Sequence, residues 1–195
     1  MKVVILNESG FEEAALGVSL SYRHLTKEDI EDIKNGDYKV PSRIKEVVMP
    51  SLSHKGGGHN KFLESMTVTL LIQANRAFWS QFDTYRVGMT KQSESTMHTL
   101  AKRKPTPEDF EPDTDPMIVS RFIDNWSELK GDIDALRRSL PQGWLETRVV
   151  TTNYKTLQNI CNQRKDHRSK DWREFYLQLI PQLRHPWFVT LHFGS

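Results

Sequence analysis

Three short stretches of the chain have the apolar pattern of β-strands. Residues 2–6 are mostly apolar and end in a polar run, which is typical of a short buried strand. In residues 66–73 apolar positions alternate with mainly threonine and glutamine, so one face of this strand should be buried. Residues 188–193 are interpreted as a closing strand. Together these strands predict a modest sheet.

Most other apolar residues recur at helical spacing. Pro116 opens the longest such segment, whose apolar stripe continues to Leu140 and stops at Pro141. Helices are predicted over residues 11–22, 26–34, 41–48 with an end at Pro50, 74–83, 116–140, 153–164 and 172–183. The expected fold class is α+β, with a central mixed or antiparallel sheet packed against long helices in a single domain formed by residues 1–195.

The helix predicted at residues 153–164 carries a cation on its apolar stripe. Asn153 is its expected cap, and Leu157 and Ile160 lie on the stripe that Arg164 continues at i+7 and i+4. A guanidinium keeps its charge and is costly among apolar groups without an anionic or acceptor-rich partner. Two interpretations remain open here: a ligand anchor at the floor of a pocket, or a buried arginine paired with a protein carboxylate.

A polar segment, residues 84–98, is rich in serine and threonine, with only Val87, Met89 and Met97 apolar. Such a segment is either a surface loop or the lining of a polar site. Residues 53–59 contain three consecutive glycines and predict a loop.

Composition excludes several classes of function. The net charge of +2 is too small to favour nucleic acid as a partner, and no apolar run has the length of a signal peptide core or a membrane span. The single cysteine, Cys161, excludes an intrachain disulfide and suits a cytoplasmic protein. The histidines lack the i, i+4 spacing of a helical metal site, so no metal is expected. Phosphate-binding glycine motifs are absent as well.

Five ordered motifs nevertheless stand in register along the chain. They are His59-Asn-Lys-Phe-Leu-Glu64, Gln81-Phe-Asp-Thr-Tyr-Arg86, the polar stretch from Thr90 to His98, Arg137-Arg-Ser-Leu-Pro141, and Asn153-Tyr-Lys-Thr-Leu157 with Arg164 beyond it. In order and spacing this set resembles the flavin-dependent thymidylate synthases. The resemblance extends over most of the chain and implies the fold of that family.

The resemblance implies a homotetramer whose active sites lie between subunits, with FAD as cofactor. By position, the flavin site would be lined by His59, Lys61, Glu64, Tyr85, Arg86, Val87, Gln92, Asn153, Lys155 and Asn159. A pyrimidine deoxynucleotide monophosphate would be bound by Gln81, Thr84, Glu94, Ser95, Arg137 and Arg164. Within this set Arg137 would clamp the phosphate, and Arg164 would be the catalytic residue that stabilises negative charge on the base.

The implied reaction is transfer of a one-carbon unit from methylenetetrahydrofolate, through reduced flavin, to C5 of the nucleotide, with NADPH as reductant. The leading reaction is conversion of dUMP into dTMP. The other kind of thymidylate synthase needs a thiolate nucleophile, for which Cys161, placed mid-helix among apolar residues, is a poor candidate.

The chain departs from the family pattern at two motifs. Thr84 and Tyr85 stand where the family has arginine and histidine, and Met97-His98 stands where it has arginine and tyrosine. Glu94 could accept a hydrogen bond from an exocyclic amino group, which cytosine has and uracil lacks. Two alternatives follow: methylation or hydroxymethylation of dCMP at C5, or a catalytically inactive homologue that only binds nucleotide or flavin.

Overall fold

A four-stranded antiparallel sheet forms the centre of the computed structural model, which describes residues 1–190. The strands are β1 (Lys2–Ser9), β2 (Thr67–Asn75), β3 (Thr90–Ser93) and β4 (Leu145–Asn153), in the order β1-β2-β4-β3. All three strand pairs are antiparallel. The predicted strands at residues 2–6 and 66–73 are therefore confirmed as β1 and β2.

Strand β2 shows which face of the sheet is buried within residues 1–190. Its alternate residues Val68, Leu70 and Ile72 are fully buried, because side chains along a strand point to opposite faces in turn. On the other face, the hydroxyl of Thr69 lies 3.3 Å from that of Thr151 on β4. The buried face packs against helices.

Many of the other described residues lie in α-helices. They are α1 (Phe11–Ser19), α2 (Lys27–Lys34), α3 (Met49–Ser53), α4 (Arg76–Phe82), α5 (Thr96–Thr99), α6 (Pro116–Leu129), α7 (Ile133–Arg138), α8 (Tyr154–Arg164), α9 (Lys170–Leu179) and α10 (Trp187–Thr190). A π-helical turn, Ile44–Val48, precedes α3, and short 3-10 turns occur at Lys61–Glu64, Pro107–Asp109 and Ile180–Gln182. The α+β class with an antiparallel sheet is confirmed. No helix within residues 1–190 combines the length and apolarity needed to cross a bilayer.

Aromatic residues of α4 and α9 build the core beneath the sheet. Phe78 and Phe82 from α4 contact Trp172 and Phe175 from α9, with ring centroids 4.9 Å apart for Phe78 and Trp172. All four side chains are fully buried. This cluster gives α4, and the polar segment that follows it, a rigid base.

The prediction of one long helix at residues 116–140 is wrong, because this segment is divided into α6 and α7. Helix α6 ends at Leu129, and the Asp132 side chain then accepts hydrogen bonds from the backbone of Asp134 and Ala135. This side chain caps a new helix, and Gly131 before it has a low helix propensity. The apolar stripe continues across the break because both helices contribute to a second, smaller apolar cluster.

The prediction of a closing strand at residues 188–193 is also wrong within the described residues. Phe188 and Val189 are buried in helix α10, where Val189 N and Thr190 N both donate to the Pro186 carbonyl. The part of this prediction at residues 191–193 lies outside the described residues.

Two further elements differ from the sequence predictions. The helical segment predicted at residues 41–48 does not end at Pro50, because Pro50 occupies the first turn of α3, where its missing N–H is not needed. The polar segment 84–98 is only partly a loop, since it contains β3 and the start of α5. Strand β4 was not predicted, although it is an inner strand of the sheet.

Candidate functional site

A polar groove of about 720 Å³ lies between the segment after α4, the outer face of α8 and the loop that contains the three consecutive glycines. The predicted site residues that line it are Glu64, Thr84, Tyr85, Arg86, Val87, Lys155, Asn159 and Arg164. Its volume is within the range of small-molecule and cofactor sites. The structure thus brings together eight of the predicted residues, from three separate parts of the sequence.

Helix α8 forms one wall of the groove. It begins where predicted, because the Asn153 side chain accepts a hydrogen bond of 2.8 Å from Thr156 N and caps the first turn. Leu157, Ile160 and Cys161 bury the inner face of the helix. Residues on the other face, such as Lys155 and Asn159, therefore point towards the groove.

Arg164 sits at the end of α8 without a carboxylate partner. Its Nε donates a hydrogen bond of 2.8 Å to the hydroxyl of Tyr85. The guanidinium carbon lies 4.9 Å from the Trp172 ring centroid and 5.6 Å from that of Tyr85. Among residues 1–190 no carboxylate forms an ion pair with it, and its terminal amino groups have no protein acceptor. Of the two interpretations left open by the sequence, pairing with an internal carboxylate is therefore wrong within the described chain.

The aromatic residues around Arg164 are themselves held by side-chain amides. The Tyr85 hydroxyl donates to Gln163 Oε1 at 3.2 Å, and Gln163 Nε2 donates to Asn159 Oδ1 at 3.1 Å. The indole N–H of Trp172 donates to Gln81 Oε1 at 2.9 Å. Gln81, predicted to bind substrate, thus contacts Trp172, the ring on which Arg164 packs.

Ionic contacts fix the chain on both sides of Thr84. Lys91 Nζ donates to the carbonyl oxygens of Phe82 and Tyr85 and to Asp83 Oδ1, at 2.9 to 3.2 Å. Arg148 on β4 donates to both Asp83 oxygens at 3.0 Å. Burial alone would raise the pKa of Asp83, but the hydrogen bonds from Arg148 and Lys91 outweigh it and hold this pKa below its ordinary value.

Gly88 ties the same segment to the start of α8. Its φ of 67° is in the left-handed region, and an added Cβ would lie 2.5 Å from Thr156 Oγ1 and 2.9 Å from Asn153 Nδ2. Thr152 Oγ1 donates to the Gly88 carbonyl at 3.0 Å, and Thr156 Oγ1 donates to that of Val87 at 3.3 Å. Asn153 therefore supports the groove as a cap and a packing surface.

Uncompensated positive charge characterises the groove. Arg86 and Lys155 form no ion pair within residues 1–190, and Arg164 adds a third cation of this kind. Glu64 supplies the one carboxylate among the lining residues that the structure describes. Cations that no protein carboxylate neutralises favour an anionic ligand, and phosphate groups in particular.

His59 and Lys61, both predicted to bind flavin, line a different cavity. This cavity, of about 660 Å³, lies on the other side of the Lys61–Glu64 turn and is also bordered by Tyr22 and Phe62. Gln92, a further predicted flavin residue, is exposed on β3. These residues do not join Arg164 in the groove of a single chain.

Arg137, Ser95 and Glu94 occupy a third region, at the junction of β3, α5 and α7. Arg137 Nε donates to Thr96 Oγ1 at 3.2 Å, one residue beyond Ser95. Partial burial raises the pKa of Glu94, and the nearby carboxylate of Glu146 adds to the effect. The predicted phosphate clamp thus lies beside the predicted Ser95 but apart from the groove.

Several groove residues were not predicted. They are His54, Gly56, Asn60, Thr156, Gln158, Asn162 and Gln163. Gln163 could have been found from the sequence, because it lies at i+4 from Asn159 on the predicted helix. Gln158 could not, because its buried amide donates to the carbonyls of Ser53 and Phe188, which are distant in the sequence.

The described residues contain no group of three His, Cys, Asp or Glu side chains suited to a metal ion. Burial raises the pKa of Cys161 to about 12, so its thiol stays protonated near neutral pH.

Comparison with known proteins adds independent evidence on the family and the fold of the chain. The family model described as "Thymidylate synthase complementing protein" matches residues 6–186. A solved structure of the flavin-dependent thymidylate synthase ThyX from Helicobacter pylori, complexed with FAD and dUMP, superposes with a TM-score of 0.78 at 14% sequence identity, covering 97% of this chain and 98% of that chain. A second structure of ThyX from Helicobacter pylori with FAD and dUMP gives a TM-score of 0.76 at 14% identity over the whole of both chains. The chain matches no curated protein sequence significantly.

Proposed function

Because the chain belongs to the thymidylate synthase complementing protein family, the flavin-dependent thymidylate synthases, we propose that it transfers a one-carbon unit from methylenetetrahydrofolate to C5 of a pyrimidine deoxynucleotide monophosphate. The leading reaction is dUMP to dTMP, with FAD as cofactor and NADPH as reductant. The observation that carries the proposal is the position of Arg164: an aromatic and hydroxyl environment holds its guanidinium at a groove, and no carboxylate among residues 1–190 neutralises it.

The groove has the chemistry that FAD requires. Arg86 and Lys155, which form no ion pair with the part of the chain that the structure describes, offer cations for the diphosphate, and the amides of Asn159 and Asn162 offer both donors and acceptors. The backbone of the segment that ends at Gly88 is held against α8, so this wall is ordered without a ligand. Bound flavin would supply the redox chemistry of the reaction, and these residues would hold and orient it.

Arg164 would act on the pyrimidine base. With Nε engaged by Tyr85, the terminal amino groups remain as donors for N3 and a carbonyl oxygen of the ring. C5 needs electron density to accept an electrophilic one-carbon unit, and the negative charge that the ring then shares between C5, N3 and the carbonyl oxygen would be stabilised by a cation already oriented before the reaction. This assigns Arg164 as the catalytic residue and agrees with the inert state of Cys161.

The remaining predicted residues would complete the site from neighbouring subunits. Arg137 and Ser95 lie together, away from the groove of their own chain, which suits a phosphate site contributed across an interface of a homotetramer. His59 and Lys61 would likewise extend the flavin site beyond the groove.

The dCMP alternative depends on Glu94, which would have to accept a hydrogen bond from the cytosine amino group. Glu94 lies at the junction of β3, α5 and α7, outside the groove that Arg164 lines, so it would have to reach the base from a neighbouring subunit.

A single assay tests the proposal. The purified protein is supplied with FAD, methylenetetrahydrofolate, NADPH and either dUMP or dCMP, and the nucleotide products are identified by mass spectrometry. We expect a flavin absorption band and a product 14 mass units heavier than dUMP, the increment of a methylene group. Conversion of dCMP alone would replace the leading reaction with the alternative. Flavin uptake without any product would establish an inactive homologue, and a protein that takes up no FAD would refute the proposal.

A further inference from the structure

We propose that Tyr85 and Lys91 form a positioning pair for Arg164: the Tyr85 hydroxyl sets the plane of the guanidinium, and Lys91 holds Tyr85 in place. This inference rests on the proposed function, in which Arg164 activates the nucleotide. Neither the Tyr85 hydroxyl nor the Lys91 ammonium has to contact the nucleotide, so both residues would act through Arg164.

The hydrogen bonds around Tyr85 can be satisfied in only one direction. Arg164 Nε can only donate, so the Tyr85 oxygen must accept from it. The single hydroxyl proton is then left for Gln163 Oε1, at 3.2 Å. The Gln163 amide is held in this orientation because its nitrogen donates to Asn159 Oδ1. Donors and acceptors therefore alternate consistently from Arg164 to Asn159.

This arrangement restrains the guanidinium before any ligand binds. The hydrogen bond fixes Nε, and the Trp172 ring, whose centroid is 4.9 Å from the guanidinium carbon, supports one face of the group. Because the guanidinium is planar, fixing Nε and one face also fixes the direction of both terminal amino groups. A ligand that accepts from these groups then loses less conformational entropy of the arginine on binding.

Lys91 gives Tyr85 its fixed position. The ammonium donates to acceptors on both sides of Thr84, namely the carbonyls of Phe82 and Tyr85, and to the side chain of Asp83. An ammonium has no more than these donors, so Lys91 is fully used within its own chain and is not available to a ligand. Because Lys91 lies on β3 and pairs with Val150 of β4, it ties the backbone of Tyr85 to the sheet.

Tyr85→Phe tests the pair because it removes the hydroxyl and keeps the ring. We expect kcat to fall on the order of 10- to 100-fold while KM for the nucleotide changes much less, since orientation rather than charge is lost. Lys91→Met should also lower kcat, and Lys91→Arg, which can still donate to the same oxygens, should retain more of the wild-type kcat than Lys91→Met.

Tyr38→Phe is the matched control, because it removes a phenol hydroxyl that donates to Glu13 at 3.2 Å. Its kinetics should equal those of the wild type.

A spectroscopic measurement separates this inference from the proposed function. In protein labelled with nitrogen-15 arginine, the Arg164 Nε–H signal, assigned from its loss in Arg164→Lys, should exchange slowly with water. This protection should disappear in Tyr85→Phe. A wild-type protein that takes up no flavin and converts no nucleotide would refute the proposed function, whatever this signal does. Unchanged kcat and unchanged Nε–H exchange in Tyr85→Phe, in an active wild-type enzyme, would refute the positioning pair alone. If Tyr85→Phe does not fold, the same two measurements on Lys91→Met decide between these outcomes.

Discussion

Arg164 and Arg137 were predicted to hold the same nucleotide, yet the folded chain supports them very differently. Arg164 is half-buried, packs on Trp172 and donates through Nε to Tyr85. Arg137 leaves 41% of its side chain exposed: its Nε donates to Thr96 Oγ1 at 3.2 Å, one terminal amino group lies 2.9 Å from Met97 Sδ, and its ion pair with Asp134 spans 3.6 Å. An exposed pair of this kind contributes little to stability. The comparison teaches that Arg164 is oriented on an aromatic surface, whereas Arg137 has more exposed polar contacts that a ligand or a second subunit can replace.

The contrast predicts different kinetic defects for the two arginines. The loss of a preorganised cation affects the transition state, whereas the loss of a more exposed phosphate contact affects binding of the ground state as well. The following substitutions would break or sharpen this distinction.

Arg164→Ala should have the largest effect. We expect kcat to fall at least on the order of 100-fold, because removing a preorganised donor to developing charge typically costs this much. Flavin uptake should be retained, since Arg86 and Lys155 remain in the groove. The measurements are steady-state turnover and the flavin absorption spectrum. Arg168→Ala, an exposed arginine in the loop after α8, is the matched control. Turnover close to that of the control would contradict the catalytic role.

Arg137→Ala should mainly weaken nucleotide binding. A charge-assisted hydrogen bond to phosphate contributes about 1.5–3 kcal/mol, so the nucleotide KM should rise at least roughly tenfold, with a smaller change in kcat. Titration of the nucleotide into the FAD-loaded protein provides an independent dissociation constant. Arg138→Ala, the exposed neighbour, should leave both values unchanged. If KM is unaffected and only kcat falls, the two arginines are not distinct in the way their environments suggest.

Asp83→Asn should have the smallest effect, and one that depends on pH. The folded pKa of Asp83 is lowered from its ordinary value of 3.8, so its ion pairs with Arg148 and Lys91 stabilise the fold above that pH. This contribution is lost as the pH falls through the lower, folded pKa. The difference in urea midpoint between wild type and Asp83→Asn should therefore be greatest near neutral pH and shrink in acid. A difference that stays constant from neutral pH to below pH ~3 would show that the carboxylate charge does not hold this segment.

Helix α8 was predictable because the signals that form it are local. A side chain that caps its own first turn and apolar residues at i, i+3 and i+4 are both contained within a few residues of sequence. Strand β4 was missed because its pattern is not local. Only Val150 and Thr152 are buried in it, so alternation is weak, and its place between β2 and β3 is created by pairing with distant strands.

The sequence predicted which residues belong to the candidate site better than it predicted how they contact one another. The motifs identified Tyr85 and Arg164, but the hydrogen bond between them spans 79 positions and involves a residue that departs from the family pattern. The support from Lys91 had no local signal at all, because its acceptors are mainly backbone carbonyls. Such acceptors exist at every residue, and only folding selects which of them a lysine reaches.

Local patterns in the amino-acid sequence were enough to establish the α+β class, most helices and the presence of an awkwardly placed cation, because spacing and capping act over a few residues. The folded chain was needed to show that Tyr85 and Trp172 accommodate this cation and that Arg137 lies in another region. Contacts between distant residues depend on how the sheet and helices pack, and the energy of a charge depends on which of those contacts surround it. The environment of Arg164, rather than its position in the sequence, is therefore what makes it a candidate for catalysis.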